Sequence, residues 1–174
     1  MIPALPRLPP LPWPGSCQCG QLSYRIIAPP WTLYCCHCTE CQGQSASAFG
    51  MSMRCLASDV EWSGEAATVT RDPNGPTAVE GLFCPHCGTR IMHRGRTHDA
   101  GTSGPDVSIK AGTLHDTSWL APVGHIWLRS RQGWFEPPAG TLAYQGQPSH
   151  WDDLRQAWAR RMVSRSLSVH DRPL

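Results

Sequence analysis

Charge is scarce in this chain. Asp, Glu, Lys and Arg make up 16% of its 174 residues, and the formal net charge is only +2. No dense Lys/Arg run precedes the C-terminal tail, so the sequence offers no electrostatic footprint for nucleic acid. Long apolar runs are missing too. No stretch reaches about 18 apolar residues, which excludes a membrane-spanning helix. Residues 1–14 hold six prolines and one charged side chain, Arg7, and their apolar runs are too short and proline-broken for a secretory signal. A helical period is absent before Ser149. What remains, with 40% hydrophobic residues, is a globular chain long enough for one domain that buries most of its surface.

Cysteine is the residue type in excess. Seven of the nine cysteines fall in three clusters: Cys17-Gln18-Cys19-Gly20, Cys36-His37-Cys38-Thr39-Glu40-Cys41 and Cys84-Pro85-His86-Cys87-Gly88. These C-x-C, C-x-C-x-x-C and C-x-x-C spacings suit chelation. A C-x-x-C turn aims two sulfurs at one point about 2.3 Å from a zinc ion. In an extended C-x-C both side chains share a face, because side chains alternate with period two. Disulfides fit less well, since nine is odd and cysteines two or three apart lack the Cα separations that bridges need. Thiols kept reduced for metal predict the cytoplasm.

Four sulfurs close a tetrahedral site, so Cys17, Cys19, Cys84 and Cys87 predict a structural zinc. Cys36, Cys38 and Cys41 predict a second zinc with one position open, which makes two zinc ions per chain. Closed sites are structural, whereas open ones can do chemistry. Within 31–36 the period of two points Cys35 away from Cys36 and Cys38, and His37 likewise unless the backbone turns there. The alternative is a second structural zinc closed by a distant residue such as Cys55.

The succession Gly15-Ser16-Cys17-x-Cys19-Gly20-x-Leu22-x-Tyr24, Cys36-His37-Cys38-x-x-Cys41 and Phe83-Cys84-x-x-Cys87-Gly88-Thr89 resembles the GFA/CENP-V family. That family is named for glutathione-dependent formaldehyde-activating enzyme and a centromere protein. Ala111-Gly112-Thr113-Leu114-His115-Asp116 resembles its G-S-L-D-D stretch and His125-Ile126-Trp127 its H-I-W strand, so the likeness runs from about Gly15 to Tyr144. The resemblance implies an Mss4-like fold: irregular coiled β-sheets stapled by zinc. It also implies an S-(hydroxymethyl)glutathione synthase or related carbon–sulfur lyase, with glutathione and a small aldehyde as partners.

Periodicity alone gives a mainly β chain with one C-terminal amphipathic helix. Three divisions follow: a proline-rich leader over 1–14, mobile or draped on the surface, a zinc-binding domain over 15–145, and the helix and tail over 146–174. Strands are predicted at 21–27, 31–36, 49–53, 60–62, 67–71, 78–83, 90–93, 107–111 and 125–129, with a turn over 72–76 and loops over 42–48 and 95–105. The loop over 42–48 could hold the carboxylates of a bound tripeptide or serve as an ordinary connection. Ser149 can cap the helix, with Asp152 and Asp153 in its first turn. Its stripe of Trp151, Leu154, Trp158 and Met162 predicts packing on the domain itself or on a twin subunit, a homodimer through this helix.

A zinc held by three thiolates is a weak generator of hydroxide, but its open position suits an exogenous thiol, delivered as the nucleophilic thiolate. No catalytic residue is assigned beyond that open site. His93, Asp116 and His125 could transfer protons or simply end strands. Trp31, Trp62, Trp119 and Trp134 could line a pocket or fill core. The competing readings are a non-catalytic zinc module for a protein partner and, less well matched, a methionine-sulfoxide-reductase-like enzyme. The latter builds its zinc site from two C-x-x-C pairs and adds a separate catalytic cysteine.

Overall fold

The computed structural model describes residues 6–72, 78–95 and 104–167. The turn expected over 72–76, apart from Asp72, and most of the loop over 95–105 lie outside them. The described chain is mainly β, built of short strands, with a C-terminal helix. It divides into two compact units, one from residues 6–9, 31–51 and 118–167, the other from 10–30, 52–72, 78–95 and 104–117.

In the second unit, strands β1 (Trp13–Ser16) and β2 (Ser23–Ile26) pair antiparallel, and β2 pairs with β5 (Val60–Ser63). Tyr24 and Ile26 are buried from alternate positions of β2, as a half-buried strand requires. A second antiparallel run joins β4 (Gly50–Leu56), β9 (Asp106–Lys110), β8 (Arg90–Gly95), β7 (Val79–Phe83) and β6 (Ala67–Arg71), in that order. The stretch resembling G-S-L-D-D forms a 3-10 turn at Ala111–Thr113. The Thr113 hydroxyl meets the Tyr24 hydroxyl at 2.8 Å, and the His115 amide donates to the Pro14 carbonyl at 3.0 Å. That stretch therefore pins β1 and β2.

In the first unit, β3 (Thr32–Cys36) pairs parallel with β10 (Gly124–Ile126), which pairs parallel with the two-residue β11 (Leu142–Ala143). Every residue of β3 and β10 is buried, which explains why Thr-Leu-Tyr-Cys-Cys shows no polar alternation. Tyr34, Cys36, Ile126 and Leu154 make one core cluster, with Cys38, Cys41, Val123, Trp127, Tyr144 and Trp151 packed against it. Leu154 belongs to the C-terminal helix (Asp152–Leu167). The helix stripe thus packs on its own unit. Trp119, 3% exposed, also lies in the core, and Trp31 lies under the Arg155 guanidinium.

Several expectations need correction. The leader is not free from Pro6 onward: Leu8 and Trp13 are buried, the Pro6 carbonyl accepts from Arg161, and β1 begins at Trp13. Apolar Leu8 and Trp13 outweigh the solvation of the prolines around them. The loop expected over 42–48 begins as a helix, α1 (Thr39–Ser45), which ends at Ala46 in the left-handed conformation. The C-terminal helix, α2, starts at Asp152, and the Arg155 amide donates to the Trp151 carbonyl, so Trp151 and not Ser149 occupies the cap position. Arg161, rather than Met162, is the third deeply buried residue of α2, because its guanidinium donates to the Trp119 carbonyl at 2.9 Å. The strand expected over 125–129 stops at Ile126, since Trp127 turns to φ 60° and a 3-10 turn (Leu128–Ser130) follows.

Gly124 shows how closely α2 is seated. A Cβ there would lie 2.4 Å from Leu154 Cδ2 and 3.2 Å from Leu142 Cβ. Gly124→Ala is therefore expected to lower stability by about 1–3 kcal/mol, measured by urea unfolding. An unchanged midpoint would mean that the helix yields.

Candidate metal centres

Two tight turns build the first sulfur group. After β1 the Cys17 amide donates to the Leu22 carbonyl at 2.8 Å and the Gly20 amide to the Cys17 carbonyl at 3.1 Å. After β7 the Gly88 amide donates to the Cys84 carbonyl at 2.9 Å and the Cys84 amide to the Thr89 carbonyl at 3.0 Å. Each turn closes through a glycine at positive φ, Gly20 at 78° and Gly88 at 74°. The four sulfurs of Cys17, Cys19, Cys84 and Cys87 lie within 4.8 Å of one another, with Cys17–Cys19 at 3.4 Å and Cys19–Cys84 at 3.7 Å. A tetrahedron of bonds about 2.3 Å long has edges of about 3.8 Å, so four thiols at this spacing fit one zinc-sized ion. Thr89 ties the two turns together, accepting from the Gln18 amide at 3.2 Å and meeting the Cys87 sulfur at 3.2 Å.

The second group is built from β3 and α1. Cys36 ends β3, and Cys38 precedes α1 with extended backbone, φ −65° and ψ 153°. The Cys38 sulfur accepts from the Cys41 amide at 3.4 Å and so caps the helix. Cys36, Cys38 and Cys41 bring three sulfurs within 4.8 Å, with Cys36–Cys38 at 3.5 Å. Cys36 is buried, while Cys38 and Cys41 are half-buried. Three thiols at this spacing also fit a soft metal ion, and among the described residues no fourth His, Cys, Asp or Glu joins them.

Sequence reasoning missed α1, though its signals were present: a capping side chain at Cys38 and an acid, Glu40, in the first turn. It has no buried residue, hence no apolar period to read. Cys35 and Cys55 belong to neither sulfur group. Both are buried, and desolvation pushes the Cys35 thiol up to about 12 and the Cys55 thiol higher still.

His37 lies on the other side of the strand from Cys36 and Cys38. Its Nε2 meets Nδ1 of His125 at 3.0 Å, inside a cage of Phe49 and Phe135. Burial holds His37 down at about 4, with the His125 and Arg131 charges adding, and burial lowers His125 as well. His93 sits in β8 and Asp116 is exposed.

An open pocket of about 660 Å³ lies along the stretch that follows Cys41 in the chain. Gln42, Gly43, Ala46, Ser47, Ala48, Phe49, Gln132 and Trp134 line it. None of these residues is charged or titratable. Trp134 is 71% exposed, with its indole N–H donating to the Gln132 side chain at 2.7 Å, so its ring face is available. Trp62 instead packs beside Tyr24, centroids 5.5 Å apart.

A family model described as "Glutathione-dependent formaldehyde-activating enzyme" matches residues 12–130. The chain belongs to this GFA family. The matched span holds both sulfur groups and His125, and ends just before Gln132 and Trp134 of the pocket wall. No match is found among curated proteins. Among solved structures, a Rhodobacter sphaeroides protein from a structural genomics programme is similar at 14% identity, over 75% of this chain and 98% of that one, with a TM-score of 0.44. Among the described residues, no helix of this GFA-family chain is long and apolar enough to cross a membrane.

The metal-free thiols differ in acidity. Cys38 is held down to about 2 by the thiols of Cys36 and Cys41 and by the amides of Cys41 and Glu40. Cys36 is pushed up, chiefly by the same contact with Cys38. Thr89 holds Cys87 down to about 5 through its hydroxyl and amide. A lowered pKa means a thiolate present at all pH above it, so in metal-depleted protein at about pH 6 iodoacetamide should label Cys38 and Cys87 first. Cys35 and Cys55 should stay unlabelled until the fold opens. Mass mapping of the alkylated peptides reads this directly, and early labelling of Cys35 would contradict it.

Proposed function

We propose that this GFA-family protein is a zinc-dependent carbon–sulfur lyase-type enzyme, joining a small thiol such as glutathione to a small aldehyde or releasing it again. In this reading Cys17, Cys19, Cys84 and Cys87 hold a structural zinc, and Cys36, Cys38 and Cys41 hold a second zinc that functions. The observation that carries it is the difference between the two groups. One supplies four sulfurs, whereas the other supplies three, two of them half-buried, and the stretch of chain that follows it lines an open pocket. A soft ion held by three thiolates supplies an open position that takes a further thiol in its thiolate form near neutral pH.

The chain's own contribution is placement and seclusion. Cys36 is sealed in the core cluster with Tyr34, Ile126 and Leu154, so its sulfur stays out of bulk water. The Gln42 side chain donates to the His37 carbonyl at 2.7 Å and to the Ser130 carbonyl at 2.8 Å, which fixes the first turn of α1 and with it Cys41. Small residues Gly43, Ala46, Ser47 and Ala48 leave room for the reactants. In the forward direction the thiolate sulfur bonds to the carbonyl carbon. The π pair moves to oxygen, and oxygen takes a proton from water, replacing the one the thiol released. Among the described residues no titratable side chain lines the pocket, so in this reading proton exchange runs through solvent at its open mouth.

The pocket offers a tripeptide no cation either. Amide and hydroxyl side chains, backbone groups and the face of Trp134 would recognise the thiol, leaving carboxylates solvated. The test is exchange of ¹³C-formaldehyde with its S-hydroxymethyl thiol adduct, followed by NMR. The protein is expected to raise the exchange rate at least about a hundredfold over buffer, and Cys38→Ser to remove that gain. Equal rates for the wild type and a folded Cys38→Ser variant would overturn the proposal.

A further inference from the structure

The buried pair of His37 and His125 is chemically out of place in its surroundings. His37 is 0% exposed and His125 2%, and the rings meet through Nε2 and Nδ1 at 3.0 Å. Phe135 packs 4.6 Å from His37 and 5.2 Å from His125, and Phe49 packs 5.1 Å from His37. The outer nitrogens, Nδ1 of His37 and Nε2 of His125, have no hydrogen-bond partner. An orphaned buried nitrogen costs stability, so a space filled for packing alone would hold more rings like Phe49 and Phe135.

What the pair does gain is orientation. His37 is the single residue between Cys36 and Cys38, and its polar atoms reach three neighbouring elements. Its amide donates to the Ile126 carbonyl at 3.0 Å, and its ring bonds His125, so two points on β10 fix the rotation of the strand end. Its carbonyl accepts from the Gln42 side chain of α1 at 2.7 Å and from the Ser130 hydroxyl at 3.0 Å. Side chains alternate with period two, so whatever fixes His37 toward one side fixes Cys36 and Cys38 toward the other. Gln42 carries that constraint into α1 and hence to Cys41. The four-sulfur group has no such device, being set by its two glycine-closed turns.

We propose that the His37–His125 hydrogen bond is the positioning device of the three-sulfur site, setting its spacing and therefore its affinity for a tetrahedral ion. This rests on reading Cys36, Cys38 and Cys41 as a metal site, and needs no assumption about its reaction. Both histidines are positioning residues: strand alternation turns the His37 ring away from Cys36 and Cys38, and both rings pack against Phe135. Removing a partner that orients metal ligands typically weakens binding about 10- to 100-fold.

The test is cobalt(II) titration of the reduced, metal-free full chain, read by thiolate charge-transfer and d–d absorption, with Cys38→Ser giving the spectrum of the four-sulfur site alone. His125→Leu keeps the bulk and removes the bond. It is expected to weaken cobalt at the three-sulfur site at least about tenfold and leave the four-sulfur site unchanged. His125→Asn places an amide where Nδ1 stands and is expected to restore affinity to within about threefold of wild type. Ser130→Ala, a milder change outside the aromatic cage, is expected to lower affinity in the same site only and keeps the test open should His125→Leu fail to fold. Wild-type affinity in folded His125→Leu, equal losses at both sites, or an Asn variant as weak as Leu would each overturn the proposal. Identical cobalt uptake by wild type and Cys38→Ser would instead remove the metal site itself.

Discussion

Seven sulfurs gathered into two groups, each no wider than 4.8 Å, would repel one another as thiolates unless a positive charge sat among them. Thiols can share protons at such distances, as Cys36 and Cys38 do when one is held strongly acidic and the other is not. A divalent soft cation removes the conflict by taking every sulfur as thiolate. The described chain presents this requirement twice. The strands are short, and the turns after β1 and β7 spend their hydrogen bonds on aiming sulfur. A metal bound only by the folded chain contributes its binding free energy to folding.

The two groups meet the requirement by different means, and the difference bears on function. Cys17, Cys19, Cys84 and Cys87 come from two turns that close on one another through Thr89, leaving the protein no vertex to offer. Cys36, Cys38 and Cys41 come from a strand end and a seven-residue helix whose cap is itself one of the sulfurs. The second arrangement depends on tertiary contacts: Leu154 and Ile126 behind Cys36, the histidine pair behind His37, and Gln42 bridging to Ser130. A site so dependent on its surroundings can be tuned by them.

Much of this was legible in the residues because cysteine spacing and strand periodicity are local signals. The grouping of the seven cysteines, and the exclusion of Cys35 and His37 from the sulfur side, need only period-two geometry. The unread parts are those decided by distant partners. Helix α1 has no apolar face, so only its cap at Cys38 and the acid Glu40 in its first turn could reveal it. Trp127 ends β10 by adopting a left-handed conformation that no glycine or proline announces. Leu8 and Trp13 look like members of a loose proline-rich leader until their burial sites exist. Arg161 is placed inward by carbonyls of Pro6 and Trp119, which lie 155 and 42 residues away. The histidine pair joins residues 88 apart, and nothing near either of them signals the other.

The central claim is that each sulfur group holds its own ion and that only one of the two is closed by the chain. Zinc per chain by elemental analysis, on protein purified without added metal, tests it most directly, with Cys38→Ser and Cys84→Ser beside the wild type. The account predicts about two zinc ions in the wild type and about one in each variant, one per surviving group. It also predicts that Cys84→Ser loses far more thermal stability than Cys38→Ser. One ion or none in the wild type, or two in a folded Cys38→Ser protein, would contradict it.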